Sequence, residues 1–310
     1  MDLDPAVRTF LNTKPDSGDP ALPIAARREI ILRGSDALFG TFSEPVAEVA
    51  SEEDFTAGRG GSAIRVRVYR PGDATGLPIH VFLHGGGFWL SSVDELVNEA
   101  ICRERCRGAN CVVVAVDYRL APEHPFPGPL DDCYLGLRWA VDHAARIGGD
   151  PENVSIGGVS AGATLAAAVT LLARELDGPH LRFQLLEVPA LDLTLAGMRA
   201  SEVGDGYGIT VAEMELCRDL YLPPGADAST PLVSPLRAAD LSGLPPAHIM
   251  TAEFDPLRAD GEAYASRLRA AGVPVSYSAH PGAVHGSLVL TRTWQPARAW
   301  HDEAVSRLAR

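Results

Sequence analysis

Val154-Ser155-Ile156-Gly157-Gly158-Val159-Ser160-Ala161-Gly162-Ala163-Thr164-Leu165 runs from a short apolar segment, through the pentad 158–162, into a small-residue stretch that continues as Ala166-Ala167-Ala168-Val169. The apolar segment predicts a buried strand, and the alanine-rich one predicts a helix whose small first turn can press closely against a sheet. Their junction has the G-x-S-x-G pattern of a strand-to-helix bend that exposes a serine hydroxyl to a base, with glycines where a Cβ would clash. In a chain with 30 glycines the pentad also fits a plain glycine-rich loop, so the rest of the sequence has to decide.

Working outward, strand signals recur at 64–69, 79–83, 111–116, 154–157, 183–188, 247–252 and 273–279, mostly as continuous apolar runs. They alternate with helix-length segments at 94–108, 130–146, 160–176 and 256–271. Buried strands alternating with helices predict an α/β fold, a mostly parallel sheet covered by helices on both faces, in one domain spanning residues 1–310. Two regions break the rhythm. Residues 1–45 precede any strand and show weak helical periodicity, and residues 193–235 place glycines and prolines around one helical segment at 210–221. Together they are expected to form a cap.

Composition narrows the partners. A hydrophobic content of 46% supports a substantial core, and a formal net charge of −13 repels nucleic acid and anionic membranes. A small molecule is the natural ligand. Met1-Asp2-Leu3-Asp4-Pro5 has acid and proline where a signal peptide needs basic charge and an apolar core, which predicts a cytoplasmic protein. The longest mostly apolar stretch, 161–173, is too short to span a bilayer. The 5 cysteines are odd in number, and Cys102, Cys106 and Cys111 lack a matching histidine pattern, so they read as buried thiols and not as disulfides or zinc ligands. The sequence leaves a homodimer open.

The chemistry-bearing residues follow from the pentad. After the strand signal at 79–83 comes His84-Gly85-Gly86-Gly87-Phe88, whose glycines free the backbone to aim N–H groups at one point. Gly86, Gly87 and Ala161, the residue after the serine, are the candidate oxyanion donors. His84 is expected to brace the loop, and the segment lacks the G-x-G-x-x-G of a dinucleotide-binding turn. A carboxylate downstream is sought at the end of a late strand. Asp255 follows the apolar run 248–254, whereas its rival Asp260 falls a turn into the next helix, where a solvated or capping role fits. Among the histidines beyond it, His301 belongs to a C-terminal amphipathic helix. His280 ends a strand before Pro281, and His285 sits in a loop from which its imidazole can reach Ser160. His285 is favoured as the base, with His280 as the alternative. Phe88, Trp89 and Tyr207 are candidates for an apolar substrate pocket, and Asp131 or Asp132 can cap the helix after the proline-rich run 122–127.

The motifs HGGGF at 84–88, DYRLAPEHPFPGPLDD at 117–132, GVSAGATLAAA at 158–168 and DPLRADGEAYASRLRAAG at 255–272 resemble the hormone-sensitive-lipase-like, or bacterial family IV, branch of the α/β-hydrolases. The resemblance covers roughly residues 64–290. It implies an eight-stranded α/β-hydrolase fold with a helical cap and a serine carboxylesterase that cleaves short- to medium-chain esters through an acyl-enzyme. The triad would be Ser160, Asp255 and His285, with the oxyanion donors already named, a small-molecule ester as partner, and no metal or organic cofactor. Val159, Ala163 and Thr164 stand where that family usually has an acidic residue, a second glycine and an asparagine, departures that bear on the shape of the pocket. An amidase, carbamate hydrolase or lactonase would use the same machinery, and a non-catalytic small-molecule receptor can occupy the same fold.

Overall fold

The apolar runs assemble into one eight-stranded sheet of order β1-β2-β4-β3-β5-β6-β7-β8 in the computed structural model, which describes residues 3–13, 21–58, 60–203 and 206–309. The strands are β1 (Ser51–Ala57), β2 (Ile64–Arg70), β3 (Leu77–Leu83), β4 (Val112–Asp117), β5 (Gly149–Val159), β6 (Phe183–Glu187), β7 (Ala247–Phe254) and β8 (Val275–Val284). β1–β2 and β2–β4 pair antiparallel and every other pair is parallel. β1 escaped the sequence reading. It is an edge strand whose residues are exposed except toward its end, so its composition, SEEDFTA, is that of a solvated surface. Its acids are used in cross-strand pairing, with Arg67 Nε donating to Asp54 at 2.6 Å.

Among the described residues the helices are α1 (Pro5–Thr13), α2 (Ile24–Phe42), α3 (Leu96–Gly108), α4 (Gly128–Asp142) and α5 (Ala144–Ile147), followed by α6 (Ala161–Glu175), α7 (Ala196–Arg199), α8 (Val211–Tyr221), α9 (Arg258–Ala270) and α10 (Gln295–Leu308). Strand side chains alternate between two cores, as a period of two requires. Ile79, Val81, Leu83, Val112, Val114 and Val116 pack with α4, α6 and α9, while Phe82, Val113 and Ala115 pack with α3 and α10. Helix α6 is buried on nearly all sides. No helix among the described residues is long and apolar enough to cross a membrane.

Three local expectations are revised. Asp132 caps nothing: its carboxylate accepts from the backbone N–H and the guanidinium of Arg119, because α4 already begins at Gly128. β8 runs four residues past His280, so that residue lies inside a strand and not at its end. Cys111 precedes β4, and burial pushes the thiols of Cys102, Cys106 and Cys111 upward, which keeps them protonated. Positions 1–2, 14–20 and 204–205 of the expected cap segments lie outside the described residues.

One buried polar contact joins three elements at a single carboxylate. Arg105 of α3 donates to Glu187 Oε1 at the end of β6, both side chains being 3% exposed, and Trp300 Nε1 of α10 donates to Oε2 at 2.6 Å. The same residue's main-chain oxygen accepts from Ser160 N at 2.8 Å. Removing one member of a buried pair strands the other's charge, so Arg105→Ala is expected to lower the unfolding free energy by roughly 3–5 kcal/mol in urea titration. A loss within about 0.5 kcal/mol, the scale of an ordinary surface substitution, would show that the pair carries no such weight.

Candidate active site

Ser160 sits between β5 and α6 at φ 54°, ψ −120°, a conformation that L residues rarely adopt. Close packing holds it there. A Cβ on Gly158 would fall 2.4 Å from the Leu83 carbonyl oxygen and one on Gly162 2.1 Å from the same atom, so only glycine lets the bend pass against the end of β3. The Ser160 N–H is anchored on Glu187 O, and its carbonyl accepts Thr164 N at 3.0 Å as the helix begins. The hydroxyl is thereby aimed away from the sheet.

The end of β7 delivers Asp255 and the end of β8 delivers His285 to that hydroxyl. His285 Nε2 lies 3.1 Å from Ser160 Oγ, and His285 Nδ1 lies 2.7 Å from Asp255 Oδ2. Asp255 is 2% exposed, and its other oxygen accepts the Leu257 N–H at 2.9 Å, which fixes the carboxylate's orientation. A carboxylate can only accept, so the Nδ1 proton points at Asp255 and leaves the Nε2 lone pair facing the serine hydroxyl.

The other acid and the other two histidines are engaged elsewhere. Asp260 is buried, not solvated: its carboxylate accepts the N–H groups of Leu191 and Asp192 at 3.0 Å each, and burial pushes its pKa up to about 7. His280 faces Glu303 at 3.3 Å and stacks at a tilt on Trp300, while His301 Nε2 donates to Leu288 O at 2.9 Å.

The glycine loop lies beside the serine, where a Cβ on Gly85 would come 3.6 Å from Ser160 Cβ. Gly86 and Gly87 take φ of 110° and 58°, and Gly86 O accepts the N–H groups of Leu90 at 2.8 Å and Trp89 at 3.2 Å. Those bonds close a turn, and among the described residues the N–H groups of Gly86 and Gly87 donate to no backbone carbonyl. Ala161 opens α6, so its N–H is one of the donors a helix start leaves without an intrahelical acceptor. His84 braces the loop: Nδ1 donates to Gly85 O at 2.8 Å, the ring stacks on Tyr118, and burial pushes its pKa down, which keeps the imidazole neutral. From α2, Arg28 Nε donates to Trp89 O at 2.6 Å and pins the loop's far side.

Ser160, His285, Gly86 and Gly87 open onto a cavity of about 360 Å³. Its walls come from α2 (Ile31, Leu38, Phe39) and α8 (Met214, Leu216, Cys217) as well as from the sheet ends. Of the expected pocket residues only Trp89 lines it. Phe88 is fully buried and stacks on Tyr221, and Tyr207 stacks on Phe254, so both apolar rings are spent on packing. Sequence reasoning missed the polar part of the wall, Ser35, Ser91, Glu95 and Asn98, together with Glu213 of α8. Nothing in their spacing predicts that residues from α2, the glycine loop and α3 meet.

The alpha/beta hydrolase fold family model matches residues 80–289. Carboxylesterase NlhH of Mycobacterium tuberculosis (strain ATCC 25618 / H37Rv) is 39% identical over 92% of this chain and 88% of its own. An arylesterase of Saccharolobus solfataricus is 35% identical over 94% of both. The solved hyperthermophilic esterase of the archaeon Pyrobaculum calidifontis superposes with a TM-score of 0.90 at 36% identity, over 100% of this chain and 98% of that one. The chain belongs to the α/β-hydrolase fold family, in its hormone-sensitive-lipase-like branch.

Proposed function

We propose that this protein is a serine carboxylesterase in which Ser160 is the nucleophile, His285 the general base and acid, and Asp255 the group that orients and stabilises the imidazole. One observation carries the reading: a serine held at positive φ within 3.1 Å of an imidazole that is itself held at 2.7 Å by a buried carboxylate. Ser160 Oγ attacks the ester carbonyl while His285 Nε2 takes its proton, and the N–H groups of Gly86, Gly87 and Ala161 stabilise the developing oxyanion. The imidazolium then protonates the departing alkoxide, leaving an acyl-enzyme. Water, deprotonated by the same nitrogen, attacks the acyl carbonyl and releases the acid and the free serine. A purely ligand-binding role has no use for this alignment.

The segments at 1–45 and 193–235 act as the cap of this reading, since α2 and α8 supply much of the cavity wall. An apolar cavity of this size suits short to medium acyl chains better than long lipids. The relatives named carboxylesterase and arylesterase support ester bonds as the target. Cytoplasmic residence fits the absence of a disulfide among the described cysteines, because thiols persist where the redox poise is reducing.

With 4-nitrophenyl butanoate, Ser160→Ala and His285→Ala are each expected to lower kcat at least about a thousandfold. Asp255→Asn should cost about ten-thousandfold, because it disturbs the tautomer. Retention of a tenth of turnover by Ser160→Ala would refute the assignment. A fluorophosphonate should label the native protein on Ser160 and leave the alanine variant untouched. Across an acyl series, kcat/KM is expected to peak at short to medium length and fall for long chains; a rise through to long chains would show that the cap does not bound the site.

A further inference from the structure

The Ser160 cavity carries one feature that ester hydrolysis alone does not require. Its wall is largely apolar, yet it contains Glu95, whose two carboxylate oxygens accept from the Ser35 and Ser91 hydroxyls across short contacts. Asn98 Nδ2 donates to Ser91 Oγ and to Ser92 O, both at 2.8 Å, and so completes the cluster. Glu95 is the N-cap residue of α3, but its side chain makes no capping hydrogen bond and turns to the serines instead.

Three facts point to a missing partner. Among the described residues no arginine or histidine forms an ion pair with Glu95. The arginines of α2 are committed elsewhere: Arg33 to Glu29, Arg28 to Glu123 and Trp89 O, and Arg27 over the Trp89 ring at 5.3 Å. Burial, with a smaller contribution from the neighbouring Asp36, pushes the Glu95 pKa up against its serine hydrogen bonds, a cost to the carboxylate that an adjacent cation would offset. Two hydroxyl donors also leave about half of a carboxylate's acceptor capacity open.

We propose that Glu95, fixed by Ser35 and Ser91 in the wall of the Ser160 cavity, is a specificity-determining carboxylate that binds a protonated amine carried by the ester substrate. The inference rests on the ester-hydrolysis reading and adds a charge to the substrate class. An ammonium group there gains a charge-assisted hydrogen bond and relieves an unbalanced carboxylate, whereas an alkyl group of equal size leaves it unpaired.

The test uses isosteric pairs in which a protonated tertiary amine replaces a branched carbon. For the alcohol side these are dimethylaminoethyl butanoate and 3-methylbutyl butanoate; for the acyl side, ethyl 4-(dimethylamino)butanoate and ethyl 5-methylhexanoate. At neutral pH the native enzyme is expected to favour the amine in one series by about tenfold or more in kcat/KM, the scale of one charged hydrogen bond. Glu95→Gln should bring that ratio down to about one. Equal kcat/KM within both pairs for the native enzyme overturns the proposal without any variant, and an amine preference that survives in Glu95→Gln overturns it as well. Turnover of the neutral esters is the control: its absence would strike the esterase reading, while neutral turnover without amine preference removes the Glu95 assignment alone.

Discussion

A single main-chain hydrogen bond, Ser160 N to Glu187 O at 2.8 Å, locks the bend on which the rest of the site is built. The serine occupies a backbone conformation that costs free energy, and such a conformation persists only where its surroundings over-determine it. Here Gly158 and Gly162 fit against the Leu83 carbonyl from one side, and β6 holds the serine amide from the other. Glu187 joins this to the deep core through Arg105 and Trp300. Strain at Ser160 is therefore balanced by packing and a buried ion pair some distance from the hydroxyl itself.

On that fixed point the parallel sheet converges the remaining groups. The serine bend, Asp255 and His285 all follow carboxyl ends of strands, β5, β7 and β8, and the glycine loop follows β3. Residues 125 positions apart in the chain meet at 3.1 Å because parallel strands bring all their carboxyl ends to one edge of the sheet. The alternatives Asp260 and His280 illustrate the same logic. Each lies only five residues from a member of the Ser160 cluster, yet each is aimed at a different neighbour, Asp260 at the amides of Leu191 and Asp192 and His280 at Glu303.

The cavity wall belongs to another layer of organisation. Helices α2 and α8 are separate in sequence and bring mostly apolar residues over the serine, where low polarity strengthens every electrostatic contact within. Arg28 and Glu95 link α2 and the start of α3 to the glycine loop, so the wall and the loop behave as one unit. Any side chain on this wall acts on a substrate through size, polarity or charge, and among the described residues no arginine or histidine forms an ion pair with Glu95.

By itself the sequence determined the α/β class, seven of the eight strands, the serine bend, the glycine loop and the pairing of Asp255 with His285 as the expected acid and base. Those features are written in local pattern: apolar periodicity, glycines at sterically closed positions, and residues placed just beyond strand ends. Tertiary structure alone decided the rest. β1 is polar because it is an edge, which only its neighbours reveal. Phe88 and Tyr207 are aromatic near the site yet turn into packing against Tyr221 and Phe254, and Ser35, Ser91 and Glu95 meet only because α2 folds across the loop. Side-chain direction and long-range contact depend on how elements pack, and no local pattern in the chain encodes that.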